Sequence, residues 1–96
     1  MAAKSISGNF DYYRVYVESP TSGNASYTAE CNDVIESLGM TFAEGNAFKA
    51  IWRSCASRSL GKKKAGYDDG VYDAEKTVFF ANRMLIAAEN KRKDSN

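Results

Sequence analysis

Histidine is absent from all 96 residues. Its absence removes the commonest general base and the commonest zinc ligand, so nucleophiles activated by an imidazole are excluded at once. Cysteine is scarce: Cys31 and Cys55 are the two present, and two separated thiols cannot complete a zinc site alone. Both sit inside apolar helical patterns, whereas small secreted domains carry more cysteines in loops. They therefore read as reduced, buried thiols of a cytosolic protein. No apolar run approaches the roughly 20 residues that cross a bilayer, and MAAKSISGNF holds no hydrophobic signal core. The expectation is a chain with no membrane partner that stays where it was made. Net charge is only +1, so nucleic-acid binding cannot rest on overall charge. A phosphate-cradling loop is missing as well. GKKK at 61–64 has lysine without the glycine spacing or the hydroxyl residue.

What is present is an ordinary apolar share, 44%, in one domain near the small end of what folds without staples. Residues 1–9 lack periodicity and predict a flexible N-terminus. Phe10 to Ser19 is aromatic and β-branched. Tyr13, Val15 and Val17 alternate with Tyr12, Arg14 and Tyr16, the period of a strand, and Pro20 to Ser26 ends it with turn formers. No second strand is evident, so this one must pair with a short irregular partner, across a dimer, or with a target. Tyr12, Arg14 and Tyr16 on it are candidate partner-binding residues.

Three helices follow. The first spans 27–38, with Tyr27, Cys31, Val34, Ile35 and Leu38 on one face and Gly39 as its left-handed stop. The second spans 41–60, opened by the capping box Thr41-Phe42-Ala43-Glu44, with Phe48, Ile51, Trp52 and Cys55 as its apolar face. The third spans 71–91. Its seam, Val71, Ala74, Val78, Ala81, Leu85 and Ala88, is spaced 3, 4, 3, 4, 3, with small residues that let another helix come close. The tail 92–96 is expected to fray. The predicted fold is mainly α: a compact three-helix domain, its third helix laying that seam across the first two, with an N-terminal strand paired locally or across a dimer. Tyr27, Ile35, Phe48, Ile51, Trp52, Phe79 and Leu85 are the expected core.

Few constellations bear chemistry. Glu30, Asp33 and Glu36, three apart on the first helix, could hold a hard cation such as magnesium; acids at this spacing are common on surface helices, and a solvated helix face is the simpler reading. Lys49 and Arg53, i and i+4 beside Trp52, could grip phosphate, with Gly45 and Asn46 offering amides to an anion. Against this, Trp52 reads as core, Lys49 and Arg53 as its rim, and Gly45 as a close helix approach. Lys62, Lys63 and Lys64 form a basic loop that could contact a partner or a nucleic-acid backbone, or simply complement a helix dipole. No residue set reads as catalytic, and no cofactor is expected.

The run ECNDVIESLGMTFAEGNAFKAIWR, followed after the lysine-rich loop by YDAEKTVFFANRML, resembles the SaV-like family of small bacteriophage and prophage proteins. The matching positions are Glu30, Cys31, Asp33, Ile35, Glu36, Gly39, Gly45, Asn46, Lys49, Arg53, Asp73 and Lys76. The resemblance implies phage origin and a place in the host cytoplasm. One branch of that family contains a phage nucleotide kinase without a standard nucleotide motif; another contains a modulator of bacterial abortive infection. Two departures matter. Ser26-Tyr27 stands where a His-Tyr pair is usual, which weakens a kinase inference, and FDYYRVYVESPTSG replaces a short polar lead-in, which points to an added protein-contact strand. Two expectations follow. The first is a phage accessory protein that binds and modulates a host protein or defence complex, anti-CRISPR-like, with a homodimer as a further possibility. The alternative is a magnesium-dependent nucleotide-binding protein or a nucleotide kinase-related enzyme.

Overall fold

Turn chemistry folds the N-terminal segment back on itself. The Gly23 amide donates to the Pro20 carbonyl at 2.9 Å, and Gly23 takes φ +83°, a conformation that strains a residue with a Cβ. The computed structural model describes residues 11–61 and 70–94. The expectations for residues 1–9 and for Lys62, Lys63 and Lys64 lie outside the described residues.

After one 3-10 turn, Asp11–Tyr13, strand β1 (Arg14–Val17) pairs antiparallel with β2 (Tyr27–Glu30). Arg14 lies opposite Glu30, Val15 opposite Ala29 and Val17 opposite Tyr27. The N-terminal strand thus pairs locally, and it is shorter than the expected Phe10 to Ser19. Its partner is a segment that the sequence pattern assigns to the first helix. Tyr27 and Cys31 sit four apart like residues on one helix face, but Tyr27 is 52% exposed and only Cys31 turns inward. The backbone of 27–30 bonds to β1, a nonlocal pairing that helix periodicity cannot register.

Helix α1 (Cys31–Leu38) closes on Gly39 at φ +64°. The Met40 amide reaches back to the Ile35 carbonyl at 3.0 Å, satisfying an orphan acceptor. Helix α2 (Phe42–Leu60) opens with the expected capping box. The Glu44 amide donates to Thr41 Oγ1 at 3.2 Å, and the Thr41 amide to Glu44 Oε1 at 2.9 Å. Helix α3 (Val71–Asp94) continues through 92–94, where fraying was expected. The molecule is mainly helical: three helices and an N-terminal hairpin in a compact small domain. Among the described residues no helix is long and apolar enough to cross a membrane.

The packing differs from the pattern in one consistent way. The buried face of α2 is its small one, Ala47, Ala50 and Ala56 with Arg53 among them, each under a tenth exposed. Alanines let a neighbour approach closely, and α3 is that neighbour. Arg53 in the later half of α2 meets Asp73 at the start of α3. Phe42 at the start of α2 meets Phe80 edge-on at 5.8 Å, so the two helices run antiparallel. This contact rotates α3. Asp73, Thr77 and Phe80 face α2, while the seam expected to pack inside points outward, with Val71 54%, Val78 62% and Leu85 54% exposed. On a 3.6-residue helix that seam lies roughly a quarter turn from the Asp73 stripe. Tyr27, Leu38, Ile51 and Phe79 are also half or more exposed and do not join the core. Past Ala81 every described residue of α3 is exposed, although Arg83, Met84, Ala87, Ala88 and Lys91 line an open concavity with Thr41 to Glu44 at the start of α2.

Candidate functional site

Two sites flank α2, one on each face. On the bulky face, Val15 and Val17 of β1 and Ala29 of β2 look across at Phe48, Ile51, Trp52 and Cys55 of α2. Strand alternation explains the sheet side. Val15 and Val17 share one face of the hairpin, while Arg14 and Tyr16 occupy the other. Between sheet and helix lies an open groove of about 520 Å³ with almost wholly apolar walls. That is a size in which ligands or partner side chains are commonly held. Phe48 and Trp52 stack edge-on at 5.8 Å along its wall. Trp52 Nε1 is buried and, among the described residues, has no acceptor. An indole N–H left so costs on the order of 1–3 kcal/mol.

On the small face sits a buried ion pair. Arg53 Nε and Nη2 both donate to Asp73 Oδ1, at 3.0 and 2.8 Å, and Arg53 Nη1 donates to the Tyr13 hydroxyl at 2.7 Å. The two charged side chains are 8% and 1% exposed. Burial works against the Arg53 charge. The hydrogen bonds to Tyr13 and Asp73 and the negative charge of the Asp73 carboxylate more than offset it, so the guanidinium is held above its ordinary value. Lys49 sits over the Tyr13 ring at 5.6 Å. Nearby, burial pushes the Cys31 thiol up to about 11 against the opposing pull of Lys49 and Arg53. A thiol so raised is protonated at neutral pH and is a poor nucleophile.

The residues singled out from sequence separate accordingly. Of the proposed phosphate group, Arg53 is engaged by Asp73 and Tyr13 and buried, so its guanidinium is not presented to a ligand. Asn46 Nδ2 donates to the Phe42 carbonyl within its own helix. Gly45 is buried because a Cβ there would stand 3.3 Å from Ile35 Cγ2, a close approach of α1 to α2 and not an anion cradle. The carboxylates also part company. Glu30 ends β2 and lies 3.9 Å from Arg14, Asp33 is in the first turn of α1, and Glu36 accepts from Asn32 Nδ2 at 3.0 Å. Because the helix begins at Cys31, the even helical spacing of the three acids is lost. Among the described residues no cluster of three His, Cys, Asp or Glu could hold a metal.

Of the partner-facing strand residues, Tyr12 is buried at 7% and packs in the 3-10 turn against Tyr13, so it is core and not contact surface. Arg14 and Tyr16 are exposed, and the Tyr16 hydroxyl donates to Ser26 Oγ at 2.8 Å. Sequence reasoning did not find the Arg53–Asp73 pair, whose members lie 20 residues apart. A signal was present: Arg53 interrupts the alanine stripe Ala47, Ala50, Ala56 at its own spacing. No family model, no curated protein and no solved structure matches the chain, so the SaV-like resemblance rests on its motifs alone.

Proposed function

We propose that this chain is a small bacteriophage accessory protein that acts stoichiometrically, by binding a host protein and modulating it. The target class we favour is a bacterial defence complex, in the manner of an anti-CRISPR. One observation carries the binding reading. Beside the hairpin, accessible apolar side chains line an open groove, while the cations that could have held a nucleotide phosphate are turned toward Tyr13 and Asp73. A groove walled by Val15, Val17, Ile51 and Trp52 suits an aliphatic or aromatic anchor from a partner, with the exposed Arg14 and Tyr16 as a polar rim.

The test uses the full chain as bait in host lysate beside Ile51→Glu. Ile51 is 51% exposed, so this variant keeps its fold while placing a charge on the groove wall. A defined partner held by the wild type and lost by Ile51→Glu is the expected result. Equal recovery on both, or phage growth unaffected by deleting the gene on every host tried, sinks the reading. The nucleotide alternative predicts a thermal shift with deoxynucleotides and magnesium, about 2.7 kcal/mol of stabilisation at 100 times the dissociation constant.

A further inference from the structure

We propose that α3 is a self-association element: two copies of this chain pair antiparallel along the exposed seam from Val71 to Ala88. The seam follows the 3-4 spacing of a coiled-coil interface over two and a half heptads. It lies about a quarter turn from the stripe that meets α2, and its large members are all more than half exposed. The order of residue sizes fixes the orientation. Valine or leucine stands at one seam position of each heptad, Val71, Val78 and Leu85, and alanine at the other, Ala74, Ala81 and Ala88.

In an antiparallel pair these two kinds of position face each other. Val71 then meets Ala88 of the second copy, Leu85 meets Ala74, and Val78 meets Ala81. Every large side chain finds a small one, and each contact recurs with the roles exchanged, as two-fold symmetry requires. A parallel pair would instead set Val78 against Val78 and Ala81 against Ala81, alternating crowded and hollow layers. The seam is self-complementary only in the antiparallel sense.

Charge points the same way. In the first half of α3, Asp73 is already paired with Arg53, and Glu75 and Lys76 offset one another. The second half carries Arg83, Lys91, Arg92 and Lys93 against Glu89 and Asp94, a net of +2. Parallel pairing lays these like-charged halves together; antiparallel pairing sets each beside a near-neutral half and opposes the helix dipoles. The seam spans about 26 Å, and with its flanking side chains the pair buries on the order of 1,000 Å², the lower end of specific interfaces. The dimer is therefore expected to dissociate on dilution.

Sedimentation velocity across a wide concentration range reads the association. The wild type is expected to shift from monomer to dimer, and Val78→Glu to remain monomeric with unchanged circular dichroism. Orientation is read by oxidation of Ala74→Cys and Leu85→Cys proteins in a Cys55→Ser background. The mixture is expected to give a covalent dimer, and either variant alone is not, because like positions lie about 16 Å apart along the paired axes. A monomer at every concentration overturns the proposal and leaves the seam to a helix of another protein. A dimer that survives Val78→Glu overturns it as well. So does cross-linking within either single variant, or a mixture that does not cross-link.

Discussion

The two faces of α2 are built on opposite plans. The face toward α3 is made of alanines and is closed, with an arginine and an aspartate sealed into it. The face toward the hairpin carries Phe48, Ile51 and Trp52 and stays open. Small side chains buried and large ones left accessible reverses the usual expectation from hydrophobicity. The reason is geometric: alanine permits close helix contact, whereas bulky residues against a two-stranded sheet leave space between them. The closed face should govern stability and the open face should govern recognition.

The sharpest way to break that division is Asp73→Ala. It leaves the Arg53 charge buried without its carboxylate, and unfolding free energy should fall by about 3–5 kcal/mol, read by denaturant titration. Replacing both partners, Arg53→Met with Asp73→Leu, should recover most of the loss, because the orphaned charge is the costly element. No recovery in the double variant would mean that the pair contributes more than its own neutrality.

Cys31 gives an intermediate effect. Its folded-state pKa is raised, from 9.0 to about 11, so the unfolded chain releases the proton first as pH climbs. The stability due to the protonated buried thiol is complete below pH 9 and is lost between 9 and 11, on the order of 2 kcal/mol in all. Cys31→Ala should flatten that part of the pH–stability curve. An unchanged slope would assign the alkaline loss to other groups. The smallest effect belongs to the open face. Ile51→Glu should move stability by less than about 0.5 kcal/mol while abolishing partner capture. A large loss of stability there would show that the groove is part of the core after all.

Local signals were legible in the sequence wherever the chemistry itself is local. Thr41 and Glu44 announce a capping box three residues apart, Gly39 announces a left-handed stop, and the alternation of Arg14, Val15, Tyr16 and Val17 announces a strand. Features set by distant partners were hidden. Tyr27–Glu30 is a strand because β1 needs a neighbour, and its residue pattern taken alone fits the helix that follows. The α3 seam reads as an interior stripe because its period is correct; the Arg53–Asp73 pair rotates it outward. The same pair withdraws Arg53 from the phosphate site that its spacing from Lys49 had indicated. In each case a single long-range contact overrides a sound local pattern.

Trp52 is the chain's single tryptophan, and it lines the groove, its indole N–H without an acceptor among the described residues. The protein therefore carries its own label at the surface most in question. Emission from this one residue reports on the groove without interference from a second indole. An occupant seated against the Trp52 ring changes the polarity the excited state feels, whereas association along α3 leaves Trp52 in the same surroundings. A fluorescence titration of the unmodified chain can thus tell occupation of the groove from self-association.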